Sequence, residues 1–122
     1  MKKIKIIIVF ILLIITYYSL KLPDPKSLTV HINDKLGHFL AYASLATHVL
    51  FLCNLRKEKL IGIILMISYG FLMELLQGFV PGREPSALDM IANSSGILVG
   101  LLIFLLFKKK IITLYQKMNV LN

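Results

Sequence analysis

Hydrophobic positions along this chain are continuous rather than periodic. Four apolar runs stand out: Ile6 to Leu20, Leu36 to Leu55, Leu60 to Val80, and Leu88 to Phe107. A helix that crosses a bilayer needs roughly 20 apolar residues, with a usable range of about 17–25. The last three runs reach that length. The first reaches it once Ile4 is counted and Lys5 extends its methylene stem back toward the interface. Short breaks separate the runs, with Leu22-Pro23-Asp24-Pro25 stopping the first and Val80-Pro81-Gly82-Arg83-Glu84-Pro85 stopping the third. The pattern predicts an all-α membrane protein. It is expected to be one bundle of four transmembrane helices, near 4–20, 36–55, 60–80 and 88–107, in a single domain over 1–122.

Composition agrees. Of the 122 residues, 57% are hydrophobic and 16% charged, against about 25% charged in a soluble domain. Mean hydropathy is +0.81. A net charge of +8 would suit nucleic acid if it covered a polar face. The basic residues instead cluster in short stretches between apolar runs, so the expected partner is the membrane and not nucleic acid.

Short loops rich in Lys and Arg stay on the cytoplasmic side. With the N-terminus inside, the inner set is Lys2, Lys3, Lys5, Arg56, Lys57, Lys59, Lys108, Lys109, Lys110 and Lys117. The outer set is Lys21, Lys26, Lys35 and Arg83, which is 10 against 4 of the 14 basic residues. Both termini are therefore expected in the cytoplasm, in a multi-pass protein of a cell membrane. No small-x-small cleavage site follows the first run, which reads as an uncleaved helix. The tail around Ile111, Ile112, Leu114 and Tyr115 reads either as lying along the headgroups or as solvated. Cys53, the single cysteine, reads as a buried small apolar residue.

Ionisable and amide residues gather at the opposite, outer end. Asp34, His38 and Tyr42 follow at i, i+4 and i+8 and share one helix face. Glu74 and Gln77 are i, i+3; Glu74 lies seven residues before Pro81, roughly 10 Å below the loop. A carboxylate at that depth must be protonated or paired, and Arg83, His38 and Gln77 are the partners within reach. Asp89 and Asn93 begin the fourth helix, and Gly96 and Gly100 continue their stripe. Plainer readings stand beside these. Ser86 and Asp89 have capping-box spacing, and Asn33 or Asp34 suits an N-cap. The Asn93, Gly96, Gly100 stripe suits close helix packing, within the chain or between copies in a homo-oligomer. His48, about 15 Å deeper than His38, reads as a core histidine, and His31 as a loop residue.

Taken together, Asp34-Lys35-Leu36-Gly37-His38 with Tyr42, then Glu74 with Gln77, then Arg83, Ser86, Asp89, Asn93 and Gly96, form a spaced set of polar types. This set resembles the VanZ-like family of small membrane proteins over roughly 34–100. The family is named for an accessory protein of teicoplanin (glycopeptide) resistance. The resemblance implies the four-helix topology and a functional set of Asp34, His38, Glu74, Gln77, Arg83, Asp89 and Asn93; it supplies neither a reaction nor the identity of any cofactor.

Three uses of the site follow. Arg83 and Lys35, with the amides of Asn93 and Gln77, suit a phosphate or peptide headgroup of an envelope precursor or lipid, or a glycopeptide. Asp34 and Asp89 would orient that ligand, and Tyr42 shares the face. An enzyme acting on a lipid-linked envelope substrate would instead use His38, Glu74 and Asp89 for acid–base work. A metal site on His38, Glu74, Asp34 and Asp89 would suit magnesium, calcium or manganese better than zinc. No residue is assigned as a metal ligand on this basis.

Overall fold

The computed structural model describes residues 2–22 and 30–119. Four helices account for almost all of them: α1 (Lys2–Leu20), α2 (Val30–Leu52), α3 (Arg56–Gln77) and α4 (Ala87–Lys117), with no strand among the described residues. The all-α class follows. Pro23 to Pro25 and Lys26 lie outside the described residues, as do the side chains of His31 and Asn33.

All four helices begin before their apolar runs, α3 at Arg56 and not Leu60, while α2 and α3 stop short of Leu55 and Val80. α2 begins at Val30, four residues before Asp34. His31 therefore sits in the first helical turn rather than in a loop, and Asp34 lies too far inside to be the N-cap. α4 continues past Phe107 through Lys108–Lys110 to Lys117, because no Gly or Pro interrupts this stretch and Lys, Leu and Gln are good helix formers. It ends where Asn119 takes a φ of 57°, a left-handed conformation that Asn tolerates. The tail is therefore helical. It continues a helix about 46 Å long and returns Tyr115 to the bundle, where its ring stacks on His48 and meets Phe51 edge-on, beside Ile4.

α2 and α4 form the central pair, and small residues are the reason. A Cβ at Gly100 would stand 2.6 Å from both the Ala43 carbonyl oxygen and the Ala46 Cβ; one at Gly96 would collide with the Phe39 carbonyl oxygen. The helices approach that closely only because neither position has a side chain. The stripe proposed for homo-oligomer contact is thereby filled by α2 of the same chain. Around this contact Ile15, Tyr42, Leu45, Ala46, Met66, Met73 and Ile97 form the core, with α1 and α3 closing its sides. Thr16 and Tyr69 tie those two together; their hydroxyls are 2.6 Å apart and share the Leu12 carbonyl as acceptor.

The outside of the bundle is apolar. Phe10, Leu13, Leu65, Phe71, Leu102 and Leu105 are all exposed, which a water-facing surface would not sustain. α1, α3 and α4 are each long and apolar enough to cross a membrane. α2 carries Asp34, Lys35, His38 and His48 and does not reach that hydropathy, as suits a helix whose polar face turns into the bundle. The starts of α1 and α3 and the Lys108–Lys110 level of α4 make one end basic. The starts of α2 and α4 and the end of α3 carry Asp34, Asp89 and Glu74 at the other.

Gly100→Leu is expected to overpack the α2–α4 contact at a cost of roughly 1–3 kcal/mol, lowering the melting temperature in detergent. Gly37→Ala, where an added Cβ meets nothing within 4 Å, should leave it unchanged or slightly raised. Circular dichroism melts of the two variants check this pair.

Candidate functional site

The carboxylate end is assembled by the α3–α4 connection. Val80, Pro81, Gly82 and Arg83 form a tight turn in which the Arg83 amide donates to the Val80 carbonyl at 3.1 Å and Gly82 has a φ of 78°. This is the type II arrangement, with proline second and glycine third. The turn directs Arg83 away from Glu74 and toward α1. Its Nε donates to the Lys21 carbonyl at 2.9 Å, satisfying one of the acceptors that a helix C-terminus leaves open.

Ser86 then caps α4. Its Oγ accepts from the Asp89 amide at 3.4 Å, while its own amide donates to Glu74 Oε2 at 3.0 Å. In a capping box the residue at the third helical position would take that amide. Here a carboxylate from α3 takes it instead, which frees Asp89 to pair with Lys35 Nζ of α2 at 3.0 Å. Glu74 is 3% exposed, so this tie between α3 and α4 is held in the bundle interior.

On α2, Asp34 Oδ1 lies 3.8 Å from His38 Nε2. That separation permits attraction but exceeds a hydrogen bond. Both residues face a groove of about 340 Å³ between α1 and α2, lined also by Ile14, Ile15, Tyr18, Ser19, Gly37 and Ala41. The Ser19 hydroxyl is fully buried beside it with no hydrogen-bond partner among the described residues. Lys21 Nζ lies over the Tyr18 ring at 5.1 Å, so a cation stands near the rim.

Beneath the capping layer lies a second group of buried polar atoms. The Tyr42 hydroxyl, Glu74 Oε1, Gln77 Nε2 and both amide atoms of Asn93 have no hydrogen-bond partner among the described residues. Gly70 makes room for two of them, since a Cβ there would lie 3.3 Å from Tyr42 Oη and 3.4 Å from Asn93 Nδ2. Buried polar atoms are almost always satisfied by protein or by water. Together these atoms make the interior beneath the cap polar.

The structure thus joins Asp34 with His38, Glu74 and Asp89 through the α4 cap, and Tyr42 with Asn93. Gln77 is buried nearby, and Arg83 stands apart at the end of α1. Among the described residues Glu74 has no Arg83 ion pair, and no three His, Cys, Asp or Glu side chains converge as metal ligands. His48 is held at the basic end, its Nδ1 donating to the Ser44 carbonyl at 2.7 Å. Sequence reasoning missed Ser19, Gly70 and the Thr16–Tyr69 tie. Thr16 and Ser19 were visible as hydroxyls late in an otherwise apolar run, and Lys35 had been read as a ligand-facing cation rather than as the partner of Asp89.

If Glu74 serves the α4 cap, Glu74→Gln should keep the fold, because an amide oxygen still accepts from Ser86. Glu74→Ala should cost roughly 1–3 kcal/mol and speed hydrogen exchange in the first turn of α4. Exchange mass spectrometry over 86–90 distinguishes the two variants.

A family model described as VanZ/LLP1 matches residues 4–108 of the chain. The match takes in nearly all of α1 and extends beyond the 34–100 stretch that carries the polar spacing, leaving out the first three residues, the end of α4 and the residues after it. No curated protein and no solved structure gives a significant match.

Proposed function

The chain belongs to the VanZ/LLP1 family, and from that premise we propose that it spans a bacterial cytoplasmic membrane with four helices. Both termini face the cytoplasm, and the carboxylate end binds the headgroup of a lipid or lipid-linked envelope precursor. The excess of Lys and Arg at the basic end supports the orientation. α2 counts as the fourth span because its polar residues turn inward against α1, α3 and α4.

The groove between α1 and α2 carries the binding reading. Ile14, Ile15 and Ala41 give it an apolar part, and Ser19, Asp34 and His38 a polar part. An amphiphile has the same two parts. Asp34 and His38 would accept from or donate to hydroxyl or amine groups of the headgroup, and Lys21 and Arg83 would meet its phosphate near the rim. Binding of an envelope precursor here would link the protein to teicoplanin susceptibility, as the family name suggests.

A second reading rests on the Asp34–His38 pair. A carboxylate 3.8 Å from an imidazole could orient it for proton transfer in an enzyme acting on the bound headgroup. Glu74 is less suited to that work, since one oxygen is committed to the Ser86 amide.

The test compares teicoplanin susceptibility of cells expressing wild type, the Asp34→Asn/His38→Gln double variant and Glu74→Gln, with membrane levels matched by tag. The binding reading expects the double variant to lose most of the wild-type effect and Glu74→Gln to keep it. An unchanged effect in the double variant contradicts the reading. Loss with Glu74→Gln at normal level moves the chemistry from the groove to the buried carboxylate.

A further inference from the structure

A second groove lies at the basic end, far from the site above. Its volume is about 220 Å³, and its walls come from the end of α2 and the turn after it (Leu50, Phe51, Cys53, Asn54), from Lys59 of α3, and from Phe104, Lys108 and Ile112 of α4. Two cations converge here on one ring: Lys59 Nζ lies 5.3 Å and Lys108 Nζ 5.6 Å from the centroid of Phe104. Lys59 Nζ also donates to the Asn54 carbonyl at 3.4 Å. Like charges brought to one ring repel unless an anion lies between them or water screens them.

Among the described residues no acid forms an ion pair with either cation. Glu58, the acidic residue of the adjoining turn, is turned back to the start of α3, where its Oε2 accepts from the Asn54 and Leu55 amides at 2.9 and 3.1 Å. Among the described residues neither Lys59 nor Lys108 has a carboxylate within 4.0 Å. Cation–π contact holds both ammonium groups against Phe104, so part of the side-chain entropy of binding is already lost. The floor of the groove is apolar, through Leu50, Phe51, Phe104 and Ile112. Leu60 and Leu105 are exposed on the flanking helices, beside the level where acyl chains would lie.

We propose that this groove binds the phosphate of an anionic glycerophospholipid, with Lys59 and Lys108 as the two phosphate ligands and the apolar floor receiving the glycerol and the first methylenes. A basic pocket between helices at a membrane face suits an anionic headgroup. The apolar floor favours a lipid over free phosphate. Its occupant would bridge α3 and α4 at the end opposite the Glu74–Ser86 tie.

The test titrates the full chain in a neutral detergent with phosphatidylglycerol or phosphatidylcholine and counts bound lipid by native mass spectrometry. Phosphatidylglycerol should bind roughly tenfold or more tightly than phosphatidylcholine. Lys59→Gln/Lys108→Gln should erase that preference, while Lys59→Arg/Lys108→Arg should keep it. The control Lys109→Gln/Lys110→Gln removes the same charge from neighbouring positions outside the groove and should also keep it. If the groove double variant does not fold, partial loss in each single variant is the expected result. The proposal is overturned by equal lipid preference in the groove variants and wild type. It is overturned equally if the control pair loses as much, because surface charge alone then suffices, or if inorganic phosphate at matched concentration displaces the lipid, because the site is then one for free anions.

Discussion

The close approach of α2 and α4 at Gly96 and Gly100 is the constraint on which the rest of the molecule depends. With no Cβ at either position, α4 lies against the backbone of Phe39 to Ala46, and the starts of the two helices are held level. That register puts Lys35 opposite Asp89 and Tyr42 near Asn93. It also gives α3 a fixed surface to close upon, so that Glu74 reaches the first turn of α4. A side chain at either glycine would push the helices apart and separate every one of these pairs.

Within that frame the polar groups of the carboxylate end divide into two kinds. Glu74, Ser86, Asp89, Lys35 and Arg83 spend their hydrogen bonds on helix ends and on one another, joining α1 to the α3–α4 turn, α2 to α4, and α3 to α4. The Ser19 and Tyr42 hydroxyls, Gln77 Nε2, the Asn93 amide and the second oxygen of Glu74 have no hydrogen-bond partner among the described residues, in a setting where an unmet polar group is costly. Asp34 and His38 stand between the two kinds, close to one another but not bonded, at the wall of a groove. The first kind holds the helix ends together, and the second makes the interior beneath them polar.

The helical class and the position of the polar end were legible in the sequence, because long apolar runs and charge placement are local properties. The Ser86 cap was legible for the same reason. The partner of Glu74 was not. Arg83 is the nearest cation in sequence, but the type II turn at Pro81-Gly82 directs it to Lys21, and a backbone amide replaces it. The start of α2 was missed because the cap-type residues Asn33 and Asp34 suggested a beginning there, inside the helix that starts at Val30, and the end of α4 because three consecutive lysines looked like a boundary when they are compatible with helix. The Gly96–Gly100 stripe announced a close contact without saying with what. Only the fold identifies α2 as the surface that fills it.

The central claim, that an amphiphile occupies the groove between α1 and α2, is tested most directly by photo-crosslinking. A phospholipid carrying a diazirine just below its headgroup, reconstituted with the full chain and mapped by peptide mass spectrometry, reports which side chains it touches. The account predicts labelling concentrated on Tyr18, Gly37 and Ala41, and displaced by excess unlabelled lipid. Labelling spread evenly over exposed residues such as Phe10, Leu65 and Leu102, with no enrichment at the groove, would contradict it.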